Sequence, residues 1–163
     1  MADGASWFIK FPNATGKVAS TGYIAQCKMD GLNMSVFSSA TSTPGQGINS
    51  SVTPSFSEIT FSLQEDSAVN SLYSSVVQGN YYDTVTITGV VTKGQTTTTF
   101  ATITLTTVYV SSLSCTVNSS GTFSIPSISV VFEQIEFEYK TDMDGNYVSQ
   151  GSVTYNIAKQ EAS

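Results

Sequence analysis

The side chains best placed to do chemistry in this sequence are three closely spaced glutamates, Glu133, Glu136 and Glu138. On an extended strand, Glu136 and Glu138 fall on one face, roughly 7 Å apart from the rise per residue. Retaining glycosidases hold their two carboxyl groups about 5–5.5 Å apart and flank the scissile bond with them. Neighbours on one strand do not flank a bond, and no aromatic-rich sugar platform accompanies them. These acids are therefore expected on a solvated or inter-subunit face. Asp142-Met143-Asp144-Gly145-Asn146 has the look of a calcium loop. An EF-hand, however, places Gly sixth and Glu twelfth, and here Gly is fourth and the twelfth residue is Val153. The Asp-Gly pair predicts a tight hairpin turn instead.

The remaining chemistry is excluded by what the chain lacks. It has no His, so neither a Ser-His-Asp nor a Cys-His arrangement can form. Cys27 and Cys115 stand alone, too few for the usual zinc ligand sets. They could pair, but two isolated cysteines in a chain with its own core are expected as buried small hydrophobes. No catalytic residue, metal site or cofactor is expected, and the chain does not read as an enzyme. All six basic residues are Lys against twelve acids, giving a net charge of −6. Clustered Lys and Arg hold phosphate backbones and anionic membranes, so neither nucleic acid nor a polybasic membrane contact is expected.

The elements that carry these residues are strands. Ile59, Phe61 and Leu63 alternate with Glu58, Thr60 and Ser62, and Val85 and Ile87 with Thr84, Thr86 and Thr88. Ala101, Ile103 and Leu105 alternate with Thr102, Thr104 and Thr106, and Val153, Tyr155 and Ile157 with Thr154 and Asn156. Trp7, Ile9 and Phe11 alternate likewise with Phe8 and Lys10. Successive side chains of a strand point to opposite faces, so most of these strands have one apolar and one hydroxyl-rich face. Between Ile128 and Tyr139 the apolar parity changes, from Ile128, Val130 and Phe132 to Ile135, Phe137 and Tyr139. Either a bulge near Glu133-Gln134 shifts the phase, or the strand is buried on different sides at its two ends. Breaks are expected at Lys93-Gly94-Gln95, Asn118-Ser119-Ser120-Gly121 and Asp144-Gly145.

One segment has helical period. Val69, Leu72, Tyr73, Val76 and Val77 form a single stripe that should pack on a sheet, in a helix of about 66–78. Asp66 or Ser67 can cap its start, and Gly79 sits where the chain must leave it. From Ser38 to Ser55 no period is visible, and two Pro and two Gly interrupt it. Loops beyond about 12–15 residues are usually functional or disordered.

Only 11% of the 163 residues are charged, against roughly 25% in an average domain. A polar but uncharged surface loses little when it is buried between subunits. Length indicates one domain, residues 1–163. Met1 to Trp7 lacks the basic and apolar parts of a signal peptide. No apolar run approaches the roughly 20 residues of a membrane helix. Four Asn-x-Ser/Thr matches, at Asn13, Asn33, Asn49 and Asn118, read as chance in so Ser/Thr-rich a chain. A Ser/Thr-rich protein without a leader is expected to be made in the cytoplasm and to leave by another route.

The order of these pieces resembles the Hcp family, the haemolysin-coregulated proteins of type VI secretion systems. The resemblance lies in Ile59 to Gly79, where a strand runs into a helix, and in Ile103-Thr104-Leu105 continuing to Val110-Ser111-Ser112. It also lies in the strand Phe132 to Tyr139 and the ending Tyr155-Asn156-Ile157. It covers nearly the whole chain. The chain departs from the family in its low charge and in Thr96-Thr97-Thr98-Thr99. The resemblance implies a mostly β fold, two antiparallel sheets forming a β-barrel-like domain with one flanking amphipathic helix. It implies a homo-hexamer whose stacked rings form the inner tube, working with a VgrG-type spike, a sheath and effector cargo and expelled through the type VI system. A phage or related contractile-system tube protein is the nearest alternative, and a monomeric carbohydrate- or surface-binding β-sandwich the alternative of another class. Within the long loop, Thr43, Pro44, Gly45, Gln46, Gly47, Ile48, Asn49 and Ser50 are expected to carry ring-on-ring stacking, with Ile48 as the anchor.

Overall fold

Alternating aliphatic and hydroxyl residues build a sheet that curls until it closes. The computed structural model describes residues 4–16, 18, 22–38, 41–49, 54–64, 67–159 and 161–162. In chain order the strands before the helix are β1 (Gly4–Lys10), β2 (Cys27–Asn33), β3 (Val36–Phe37), β4 (Thr41–Thr43), β5 (Gly47–Asn49), β6 (Ser55–Phe56) and β7 (Ile59–Gln64). The helix α1 (Val69–Gln78) precedes β8 (Tyr81–Lys93), β9 (Thr96–Val117), β10 (Phe123–Met143), β11 (Asn146–Asn156) and β12 (Glu161–Ala162). Six strands close an antiparallel barrel in the order β10-β7-β2-β1-β8-β9, with β9 returning to β10. Strands β11 and β12 continue the sheet beyond the barrel from β10. One register row shows how the core is made. Cys27, Ile9, Ile87 and Ile103 stand side by side on four strands, all fully buried. Burial of such an aliphatic side chain contributes about 1.5–3 kcal/mol.

The parity change of β10 falls where the sequence places it, but no slip against β9 accompanies it. Buried residues switch phase in three neighbouring strands at the same level. They pass from Tyr82 to Val85 in β8, from Leu105 to Val108 in β9, and from Phe132 to Ile135 in β10. The register is unbroken across the step. Tyr82, Val108 and Phe132 form one row, and Thr84, Thr106 and Gln134 another. Asp83, Thr107 and Glu133 lie between these rows, and Thr107 has φ 53°. That left-handed backbone is unfavourable for a β-branched residue. Three strands bending together keep their ladders where a bulge in one would break them. The strand is thus buried on different sides at its two ends. Slips of β10 against its neighbours occur elsewhere, between Ser129 and Val130, among others.

The helix lies at one end of the barrel. Leu72 is fully buried and Val69 and Val76 pack partly against the core. Tyr73 and Val77 do not join them, being 58% and 70% exposed. The expected stripe was too wide. At 100° per residue, Tyr73 and Val77 form a flank one turn apart, and this short helix meets the barrel along the line of Ala68, Leu72 and Ser75. Ser75 is buried because its hydroxyl donates to the Asn80 carbonyl at 3.0 Å. Ser67 does not cap the start, since its hydroxyl donates to the Thr15 carbonyl at 2.7 Å. Asp66 lies outside the described residues. The helix ends as expected, with Gly79 at φ 69° and its N–H bonded to the Ser75 carbonyl.

Within and beside the segment expected as a structureless loop, the described residues pair as two short antiparallel ladders, the two tiers of a hairpin. Val36 and Phe37 pair with Phe56 and Ser55 at its base, and Thr41, Ser42 and Thr43 with Asn49, Ile48 and Gly47 at its tip. Pro44, Gly45 and Gln46 make the turn, with Gly45 at φ 83° and Gly47 at φ 79°. Phe56 fixes the base, its ring 5.2 Å from that of Tyr155 and 6.0 Å from that of Phe132. Ser50, the last residue expected to act in stacking, lies outside the described residues. The two ends of the barrel differ for a topological reason. In β2 and β7, Asn33 faces Thr60 and Met29 faces Leu63. The hairpin leaves these strands at one end, and α1 follows Gln64 at the other.

Leu72→Ala is expected to destabilise the fold by about 2–5 kcal/mol, as truncations of buried Leu do. Tyr73→Ser should stay within about 0.5 kcal/mol, as exposed substitutions do. Denaturant midpoints of the two variants check the contrast.

Candidate functional site

The strongest chemical candidates of the sequence are not brought into one site. Glu133 and Glu136 are exposed on the sheet, and Glu136 is flanked by Thr104 on β9 and Thr154 on β11. The Glu138 carboxylate accepts a hydrogen bond from the Ser149 hydroxyl at 2.9 Å. Among the described residues no three His, Cys, Asp or Glu side chains converge on a metal position. No disulfide joins Cys27 and Cys115. Cys27 is buried in the barrel as expected, but Cys115 is exposed on β9, where that strand has run past the core.

The described residues organise surfaces. On the outer face of β8 and β9, Thr84 faces Thr106, Thr86 faces Thr104 and Thr88 faces Thr102. The same face continues through Gln134 to Asn156, whose amide donates to the Gln134 side-chain oxygen at 3.1 Å. Further along, the exposed residues Tyr81, Tyr109 and Val131 form one row, with the two tyrosine rings 5.6 Å apart.

At the hairpin end three turns project, and two of them are latched. Asp144 at φ 53° and Gly145 at φ 87° give the expected hairpin turn between β10 and β11, where both central residues need positive φ. The Asp142 carboxylate accepts the Gly145 N–H at 2.8 Å and an ion pair from Lys93 at 2.8 Å. Lys93, at the end of β8, also lies 5.4 Å from the centre of the Tyr147 ring. The Lys93 ammonium, helped by the Gly145 N–H, holds the Asp142 carboxyl below the usual carboxylate range. The third turn, Pro44 to Gln46, has no charged residue on it or on the flanking strands β4 and β5.

The opposite end carries a groove of about 590 Å³. One wall is the polar side of α1, with Asn70, Ser71, Ser74 and Ser75. Asn13 from the turn after β1, and Asn80, Tyr81 and Tyr82 at the start of β8, complete it. Every described lining side chain is neutral. Burial pushes the Tyr82 phenol above its ordinary 10.0, against the opposing effect of the nearby Ser75 hydroxyl. Sequence reading missed this groove. The available signal was the pairing of Asn70 with Ser74 and Ser71 with Ser75 one turn apart on a second helix face.

The family model for the type VI secretion system effector Hcp matches residues 8–139. No curated protein sequence matches the chain. Solved structures share its fold. A structure described as a type six secretion system protein superposes with a TM-score of 0.88 at 20% identity, covering 98% of this chain and 100% of the other. Hcp1 from Salmonella typhimurium gives 0.75 at 14%, covering 98% and 99%. A type VI secretion system effector from Yersinia pestis gives 0.69 at 17%, covering 92% and 98%.

The latch at the hairpin tips has a direct readout. A carboxyl depressed in the folded state contributes its stability above the ordinary Asp range and loses it as pH falls through the folded value. In a carboxyl-resolved NMR titration, Asp142 should titrate below 3.8, and Lys93→Ala should bring it back towards that value. An unchanged midpoint in the variant contradicts the latch.

Proposed function

The chain belongs to the Hcp family of type VI secretion proteins, and from that premise we propose that it is the structural subunit of the secretion tube. Six copies close into a ring, and rings stack into a tube that is expelled with its effectors. The observation that carries this reading is the family match over residues 8–139, on a closed barrel with a neutral hairpin projecting from one end. The low charge fits it, because ring and stacking contacts then bury hydroxyl and amide groups in place of ions. The role needs no catalysis. The closed barrel speaks against the carbohydrate-binding sandwich.

Within this reading the partners are other copies of the chain, a VgrG-type spike at the tube end, the surrounding sheath and the effector cargo. The subunit is made in the cytoplasm and leaves through the machine itself. No helix among the described residues is long and apolar enough to cross a membrane. Stacking is assigned to Thr43 to Ser50, and ring closure to strand faces elsewhere.

Deleting Thr43 to Ser50 is expected to leave single rings intact while stopping tube growth and secretion, as electron microscopy and a secretion assay would record. Rings that fall into monomers would move the segment to the lateral contact. Normal tubes would make it a tolerated insertion.

A further inference from the structure

The groove beside α1 holds hydrogen-bonding groups that the fold does not consume. Ser75 and Tyr82 are turned to internal partners, the Asn80 carbonyl and the Ser71 carbonyl. Asn80 is held by the Gln78 side chain at 2.8 Å. The side chains of Asn13, Asn70 and Ser74 make no hydrogen bond among the described residues. Amides both donate and accept, and hydroxyls do the same, so this wall suits peptide groups. An ion is less suited to it, since none of the described lining residues carries a charge and burying an unpaired charge is costly.

We propose that this groove receives the Pro44 to Gln46 turn of a second copy of the chain, the one stacked on it in the next ring. The inference rests on the reading that residues 43–50 carry stacking, and it names the surface that accepts them. Three observations lead to it. The groove and the hairpin leave the barrel at opposite ends, as the pairing of Asn33 with Thr60 and of Met29 with Leu63 requires. Of the three turns at the hairpin end, those of β8–β9 and β10–β11 carry Lys93, Asp142 and Asp144 on or beside them, whereas the turn between β4 and β5 is neutral. A volume of about 590 Å³ lies within the range of pockets that enclose a small ligand, roughly 300–1,000 Å³. It has room for the small Pro-Gly-Gln turn.

The geometry of the contact has a consequence for assembly. A knob at one end meeting a groove at the other is a head-to-tail contact, which repeats without closing on itself. Each copy in a ring makes the same contact, so a ring carries it on every subunit and the tube grows along its axis. Two glycines, at 45 and 47, keep the turn narrow enough to enter, since neither presents a side chain.

Cysteine cross-linking of tubes assembled from the full chain tests the contact. Gln46→Cys and Ser74→Cys are combined with Cys115→Ser, which removes the exposed native thiol. Oxidation should yield a ladder of covalent multimers on a non-reducing gel, absent from either single variant. As a second arm, Ser74→Lys should cut tube formation at least tenfold while rings persist, and adding Gln46→Glu should restore it. No ladder together with undiminished Ser74→Lys tubes overturns the groove assignment. If deletion of Thr43 to Ser50 still stops stacking in that case, the hairpin reading stands and only its acceptor is wrong. If the deletion variant also forms tubes, the stacking reading itself fails.

Discussion

The ladder between β9 and β10 is the interaction on which the rest of the molecule depends. It runs from Val117 opposite Phe123 to Ala101 opposite Tyr139, and it converts an open sheet into a barrel. Without it, β9 and β10 would each present a long unpaired edge, the feature that drives sheets to aggregate. The other edge of β10 is shared. Ser124 to Val130 pair with β7 inside the barrel, and Gln134 to Met143 pair with β11 beyond it. One strand therefore belongs both to the core and to a projecting hairpin. The common phase step at Asp83, Thr107 and Glu133 lets it do so without breaking its pairing to β9. The strained φ of Thr107 is a local cost offset by ladders preserved in three strands.

Closure gives the barrel two unlike ends. The end after Gln64 is covered by α1 through Leu72, Val69 and Val76, and it bears neutral amides and hydroxyls. The other end carries three turns, two joined by the Lys93–Asp142 pair and one without charge. The barrel therefore has a direction, its two ends differing in charge and in the groups they present. The hydroxyl faces of β8 and β9 can meet other copies without stripping water from ions, which is where the low charge of the chain becomes useful.

Local pattern made much of this legible. Thr84 to Thr88 and Ala101 to Thr106 repeat with period two because one face of each is buried in the barrel and the other is not. Asp144-Gly145 could be read because the hairpin turn needs positive φ at both positions. Gly79 marked the end of α1 for the same steric reason. The failures also have physical causes. Tyr73 and Val77 are apolar at the right period, but a short helix at a barrel end presents only a narrow line to the core. Strands β4 and β5 are three residues each, too short for any period to show. Ser67 could not be read as a partner of Thr15, nor Asn13 as a wall of the α1 groove, because both relations join residues far apart in sequence. The phase change in β10 was visible in its own residues, but its form depended on β8 and β9 making the same step.

The central claim is that the chain is a ring-forming subunit, and sedimentation of the purified protein tests it most directly. The account predicts a discrete species at six times the 17.3 kDa of one chain, holding at moderate salt because the contacts are hydroxyl and amide in character. A species at the monomer mass, persisting at high protein concentration and moderate salt, would contradict it.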